Sequence, residues 1–232
     1  MTRDCVSPVW HASCGDDESL AERQEEAAAA LRERFNRDFW NEERGTFLLA
    51  LAGPEKARVD SVTSNPGQCL WSGIVDEDKA APVAERLLRD DLFSGWGVRS
   101  MSSEDAGYSP LRYHTGTVWP HDTALVAEGL RRYGFRDEAT RLACSVLDAA
   151  EAFMHQLPEV FAGFARDGAE APIRYPNALT PQAWAAGAPL LGLRTLLGLD
   201  PDGGELRCEP HLPERYEGLR LEGVRFRVSS RA

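Results

Sequence analysis

The sequence predicts an all-α fold, a part of a two-layered toroid of helical hairpins with small β elements, and three observations carry that prediction. Apolar residues recur at three- and four-residue steps in about six segments of the chain. These segments come in pairs joined by short turns. Amphipathic members alternate with one that is nearly all apolar, the pattern of an outer layer around a buried inner one. No short-period repeat runs through the chain, so the architecture rests on pattern rather than self-similarity.

Residues 1–17 show no periodicity and end acidic at Asp16-Asp17, which reads as an unstructured leader to a single unit over 18–232. Leu20, Ala27, Leu31, Phe35 and Phe39 share one helical face, predicting a helix to about Asp38, with turn residues at Asn41 to Gly45. Runs at 47–51 and 57–61, separated by Gly53-Pro54, predict a short β-hairpin. Helices follow at 67–74 and 78–88. Residues 89–115 mix Gly95, Gly97, Gly107 and Pro110 with Phe93, Trp96, Tyr108 and Tyr113, a long loop of the kind that is often functional. Segments 117–133 and 136–155, parted by Gly134, form an αα-hairpin through Val118, Leu125, Val126 and Leu130 against Leu142, Val146, Leu147 and Phe153. Thr180-Pro181 supplies a cap and first turn for a helix to about Leu199. Its only charge between Gln182 and Leu199 is Arg194, so it has to be covered on nearly all sides. Alternation through Leu219, Leu221, Val224, Phe226 and Val228, with Gly223 as a bulge, predicts a closing β element.

Composition removes several function classes. The 232 residues carry 26 Lys and Arg against 37 Asp and Glu, a net charge of −11, and no basic cluster interrupts it. A nucleic-acid backbone would be repelled, so nucleic acid is excluded as a partner. No apolar run approaches the roughly eighteen residues a membrane span needs, and Met1 to Cys5 holds no apolar signal core. Cysteines at 5, 14, 69, 144 and 208 form neither an even framework nor a CxxC pair, which fits free thiols in a cytoplasm. None is expected to gain a His or basic partner that depresses its pKa. GxSxG, P-loop and GxGxxG motifs are absent, and no cofactor is implied.

The densest chemistry is Tyr113-His114-Thr115-Gly116-Thr117-Val118-Trp119-Pro120-His121-Asp122, where a loop enters a helix. Sugars want this mixture: their C–H faces stack on aromatic rings while carboxylates, imidazoles and amides hold hydroxyl pairs. A bland reading keeps Tyr113 and Trp119 as core and gives Asp122 to the helix dipole. His114 and His121 could also ligate a metal, but a spacing of seven without a third ligand is weak, and no metal is assigned. Trp71, Trp96 and Trp184, each beside small residues, extend the pattern to a wide apolar cleft. Glu159 follows Leu157-Pro158 in apolar surroundings that make a carboxyl harder to ionise, as a general base requires.

In order, Thr63-Ser64-Asn65-Pro66-Gly67, Leu70-Trp71-Ser72-Gly73-Ile74, Leu92 to Arg99, Tyr113 to Asp122, Leu157-Pro158-Glu159 and Pro181-Gln182-Ala183-Trp184 resemble the C-terminal half of bacterial amylo-α-1,6-glucosidase (glycogen-debranching-like) proteins, over residues 20–228. That family sits with trehalases, processing glucosidases and mannosylglycerate hydrolases among the six-hairpin (α/α) barrel glycosidases. The resemblance implies inverting hydrolysis of an α-glucosidic bond by one acid and one base. It makes Glu159, forty residues after Trp119, the base, and adds Gln182 to the sugar contacts. The acid is an Asp in an earlier Trp-Lys-Asp-like segment that this chain lacks, and a complete barrel has twice as many helices. The resemblance therefore implies the C-terminal part of a longer enzyme whose partner is the other half of the barrel. Thr115 stands where the family more often has Asn. Two alternatives remain, a non-catalytic sugar-binding fragment and a sugar epimerase using His114 or His121 as its proton-transfer base.

Overall fold

The first helix, α1 (Glu18–Asp38), docks on the helices that follow through its C-terminal half. There Phe35 stacks on Phe39 and Phe47 at 5.3 and 4.6 Å, whereas Leu31, on the same predicted face, is half exposed. Polar groups fix the angle: buried Asn36 donates to Ile74 O at 2.7 Å and accepts from Asp76 N at 2.9 Å, and Arg32 pairs with Asp76 at 3.0 Å. The structure, a computed structural model, describes residues 18–202, 205–220 and 222–223. The expected leader lies outside the described residues, as does most of the expected strand alternation at 219–228.

Two small antiparallel pairs come next. β1 (Trp40–Asn41) meets β2 (Thr46–Phe47), and β3 (Ala50–Ala52) meets β4 (Ala57–Val59) in the register Leu51 to Arg58. The helices α2 (Asn65–Ser72), α3 (Glu77–Leu87), α4 (Pro120–Arg132), α5 (Arg136–Ala152) and α6 (Ala183–Leu197) complete six α-helices among the described residues. α4 is their centre and packs against α2, α5 and α6, with α5 also against α6. Gly67 and Gly129 permit the α2–α4 contact: a Cβ at Gly67 would stand 2.3 Å from Val126 Cγ2, and one at Gly129 would stand 2.6 Å from Trp71 N.

The core of this arc has two parts, with Leu70, Leu87, Leu130, Leu142 and Leu196 fully buried in one cluster and Val118, Val146, Phe153 and Phe161 in another. Buried Glu128 accepts from Arg131 at 2.7 Å and from Thr195 at 2.8 Å, and Arg131 reaches Asp200 at 2.7 Å, tying α4 to α6 and to the chain just beyond it. Burial would leave Glu128 costly if it were unpaired. Arg86 and Asp91 form a second buried pair at 2.6 Å, and that guanidinium together with Ser102 holds the Asp91 carboxyl below its usual range despite burial.

Two expectations change. The last helix starts at Ala183 rather than Thr180, because the Gln182 side chain accepts from Ala185 N at 3.0 Å and caps it. α6 is not covered on nearly all sides: Leu190 is 69% and Trp184 51% exposed, because α6 ends the arc and has no further described helix against that face. An antiparallel pair that was not expected, β5 (Leu199–Asp202) with β6 (Glu205–Cys208), follows directly after the left-handed Gly198 cap.

Candidate functional site

The N-termini of α2, α4 and α6 open onto one cleft of about 420 Å³. Their free N–H ends give it partial positive character, which favours a carboxylate or a hydroxyl oxygen there. Asn65 and Gln68 enter from α2, His121 and Asp122 from α4, and Trp184 from α6. Tyr113, His114 and Trp119 come from the loop before α4, and Glu159 from the loop after α5.

Backbone bridges bring the two loops together. Val118 N donates to Phe161 O at 2.9 Å and Phe161 N to Val118 O at 3.0 Å, fixing Glu159 two residues upstream against Trp119 and His121 downstream. Further bridges join Val118 to Arg99 and Phe161 to Arg174. Gly116 and Gly163 make the approach possible, since a Cβ at Gly163 would sit 1.7 Å from Gly116 O. The Gly163 carbonyl then accepts from Arg99 Nε at 2.6 Å and from the Tyr108 hydroxyl at 3.1 Å.

Aromatic rings form the wall. Tyr113 meets Trp119 edge-on at 4.7 Å, His114 lies parallel to Trp119 at 5.7 Å, and His121 stacks on Trp184 at 4.3 Å. Trp119 Nε1 is satisfied internally by Tyr113 O at 3.2 Å and Thr117 Oγ1 at 3.1 Å, which holds its ring still. Burial pushes the Tyr113 hydroxyl above its ordinary pKa, and hydrogen bonding to Glu159 with that carboxylate's charge adds to it. Burial holds the His121 imidazole below its ordinary value against the pull of the Asp122 and Glu159 charges. Its Nδ1 is buried without a hydrogen-bond partner among the described residues. Asp122 accepts from Gln68 Nε2 at 2.5 Å, which orients one carboxylate oxygen and leaves the other for a ligand.

Seven of the residues expected at the site are thus brought together: Tyr113, His114, Trp119, His121, Asp122, Glu159 and Trp184. Three are not. Trp71 lies at the C-terminal end of α2, away from the cleft, where its carbonyl accepts from Arg132. Trp96 is 3% exposed in the core under the Arg166 guanidinium at 4.0 Å. Gln182 spends its side chain on the α6 cap. The expected wide apolar cleft is accordingly one that mixes aromatic walls with polar side chains. Ser64, Asn65, Gln68 and Ser100 also line it and were not expected as ligands, although the Thr63 to Gly67 block carried two of them as a motif.

The cysteine expectation also changes in part. Arg215 lies against the Cys144 thiol, yet burial outweighs it and pushes that thiol up, and burial alone pushes Cys69 up to about 11. No helix among the described residues is long and apolar enough to cross a membrane.

Residues 1–165 match the family model of the mannosylglycerate hydrolase MGH1-like glycoside hydrolase domain. A mannosylglycerate hydrolase of Rubrobacter radiotolerans is 32% identical over 122 residues, 51% of this chain and 27% of that protein. The solved neutral trehalase of Saccharomyces cerevisiae superposes with a TM-score of 0.59 at 23% identity, covering 74% of this chain and 30% of its own. A GH63 mannosylglycerate hydrolase from Thermus thermophilus, solved with Tris and D-glycerate, superposes with a TM-score of 0.58 at 21% identity, covering 77% and 40%. The fold is therefore that of the (α/α) barrel glycosidases. The matched stretch spans about a quarter of the curated relative's length.

Proposed function

The chain belongs to the mannosylglycerate hydrolase MGH1-like glycoside hydrolase family, and from that premise we propose that its cleft is the base side of an inverting glycosidase site. The observation that supports this reading is one cleft holding the Glu159 carboxylate beside the Tyr113 hydroxyl, the His121 ring stacked on Trp184, and Trp119 edge-on to His121. In the proposed step Glu159 takes a proton from a water whose oxygen forms a bond to the anomeric carbon. The glycosidic C–O bond breaks on the opposite face, and an acid gives its proton to the leaving oxygen. Asp122, with one oxygen already committed to Gln68, is assigned to sugar hydroxyls rather than to that proton transfer. The acid is assigned to helices beyond this cleft.

The substrate class proposed is an α-linked hexoside. The sequence blocks imply an α-glucosidic carbohydrate without fixing its linkage, the family match favours a small hexoside such as mannosylglycerate, and a cleft of this size suits a small ligand. Glucose or mannose added to the chain shifts its tryptophan fluorescence through Trp119 and Trp184. With the acid-bearing helices supplied, Glu159→Gln keeps that shift and lowers hydrolysis of mannosylglycerate or of a branched glucan by several orders of magnitude, because the side-chain shape survives while its basicity does not. Near-normal turnover by this variant overturns the assignment.

A further inference from the structure

A second cavity, of about 400 Å³, lies along α5 and shares no lining residue with the cleft around Glu159. Its floor is a helical stripe of α5, Asp137, Arg141, Cys144 and Asp148. Phe93, Gly95 and Arg166 close one side, and Pro213 and Arg215 close another.

Three guanidinium groups border this cavity, each laid over an aromatic ring. Arg141 stands 4.5 Å from the Phe93 centroid, Arg166 4.0 Å from Trp96, and Arg215 4.9 Å from Tyr216. Stacking occupies the flat face of a guanidinium and leaves its N–H edge for planar acceptors. Asp148 takes Arg166 at 2.7 Å and Arg215 at 2.8 Å. Asp137, 91% exposed, is engaged by His211 at 2.7 Å. Arg141 has no carboxylate and no hydrogen-bond partner among the described residues. In a chain of net charge −11 the cavity thus gathers three fixed cations against two carboxylates, both already engaged. The backbone is shaped to allow it: at Gly95, with φ +89°, a Cβ would stand 2.7 Å from Arg166 Cβ. Arg141 is exposed, and its guanidinium lines the cavity over Phe93 with its N–H edge open to an incoming acceptor.

We propose that this cavity binds a phosphate dianion, free or carried on a sugar, with the Arg141 fork as its anchor and Arg166 and Arg215 beside it. Forked N–H pairs match phosphate oxygens, and the local excess of one positive charge favours an anion there. Calorimetric titration of the full chain with inorganic phosphate and, separately, with glucose 6-phosphate, at an ionic strength held with sodium chloride, tests it. Saturable binding in either arm supports the site, equal affinity in the two assigning it to the free anion and tighter sugar-phosphate binding to the carried group. Arg141→Gln weakens that binding by about tenfold or more, with circular dichroism and the thermal midpoint without phosphate unchanged. Absence of saturable binding in both arms, or an Arg141→Gln affinity equal to that of the parent, overturns the proposal.

Discussion

His121 shows how one side chain's surroundings set its chemistry. Its ring lies flat on Trp184, edge-on to Trp119 and beside two carboxylates, yet burial prevails and keeps it neutral below its ordinary pKa. The unfolded chain therefore takes up a proton near pH 6.5 that the folded one refuses, so stability falls as pH drops below that value. We expect the urea midpoint to fall between about pH 7 and about pH 5, and His121→Gln to flatten that dependence. An unaltered pH dependence would assign the effect to another group. Tyr113 to Asp122 were legible because ring and carboxylate lie in one contiguous stretch entering a helix. Gln68 was not, since the bond that makes it part of the site crosses 54 residues. Gln182 differs for the opposite reason: a local cap competes for the same side chain that would hold a sugar.

At the scale of elements, the site depends on two loops joined at Val118 and Phe161. Gly163→Ala puts a Cβ into Gly116 O, so the bridge must open and Glu159 move away from Tyr113. The expected outcome is a loss of sugar-induced fluorescence together with a destabilisation of about 1–3 kcal/mol in urea unfolding, the usual cost of overpacking. A variant with parental binding and stability would show that the loops tolerate separation. Helix positions were readable because three- and four-residue periodicity is a local property, and α4 and α5 fall close to their expected spans. The bridges at 99, 118, 161 and 174 were not, because single cross-loop hydrogen bonds leave no period in the sequence.

For the whole molecule, the arc leaves apolar side chains in water at its end. Leu190 and Trp184 are exposed on α6, and Gly187 between them faces open space. Covering a Leu or Trp side chain contributes on the order of 2 kcal/mol, so this face favours contact with another apolar surface. Sedimentation velocity on the chain alone is expected to show concentration-dependent self-association, and Leu190→Arg to reduce it; a monodisperse monomer throughout would contradict this. The sequence by itself determined the all-α class, the order of the helices and the dense stretch at Tyr113 to Asp122 that lines the cleft, because periodicity and motif content are properties of neighbouring residues. It also carried Glu159, through blocks whose order and spacing resemble a family. Only the tertiary structure decided that Trp71 and Trp96 stay out of the cleft, that Gln68 orients Asp122, and that three arginines meet around one cavity. Those outcomes depend on which helix ends converge and which side chains burial or capping claims first, and both are set by contacts between residues far apart in the chain.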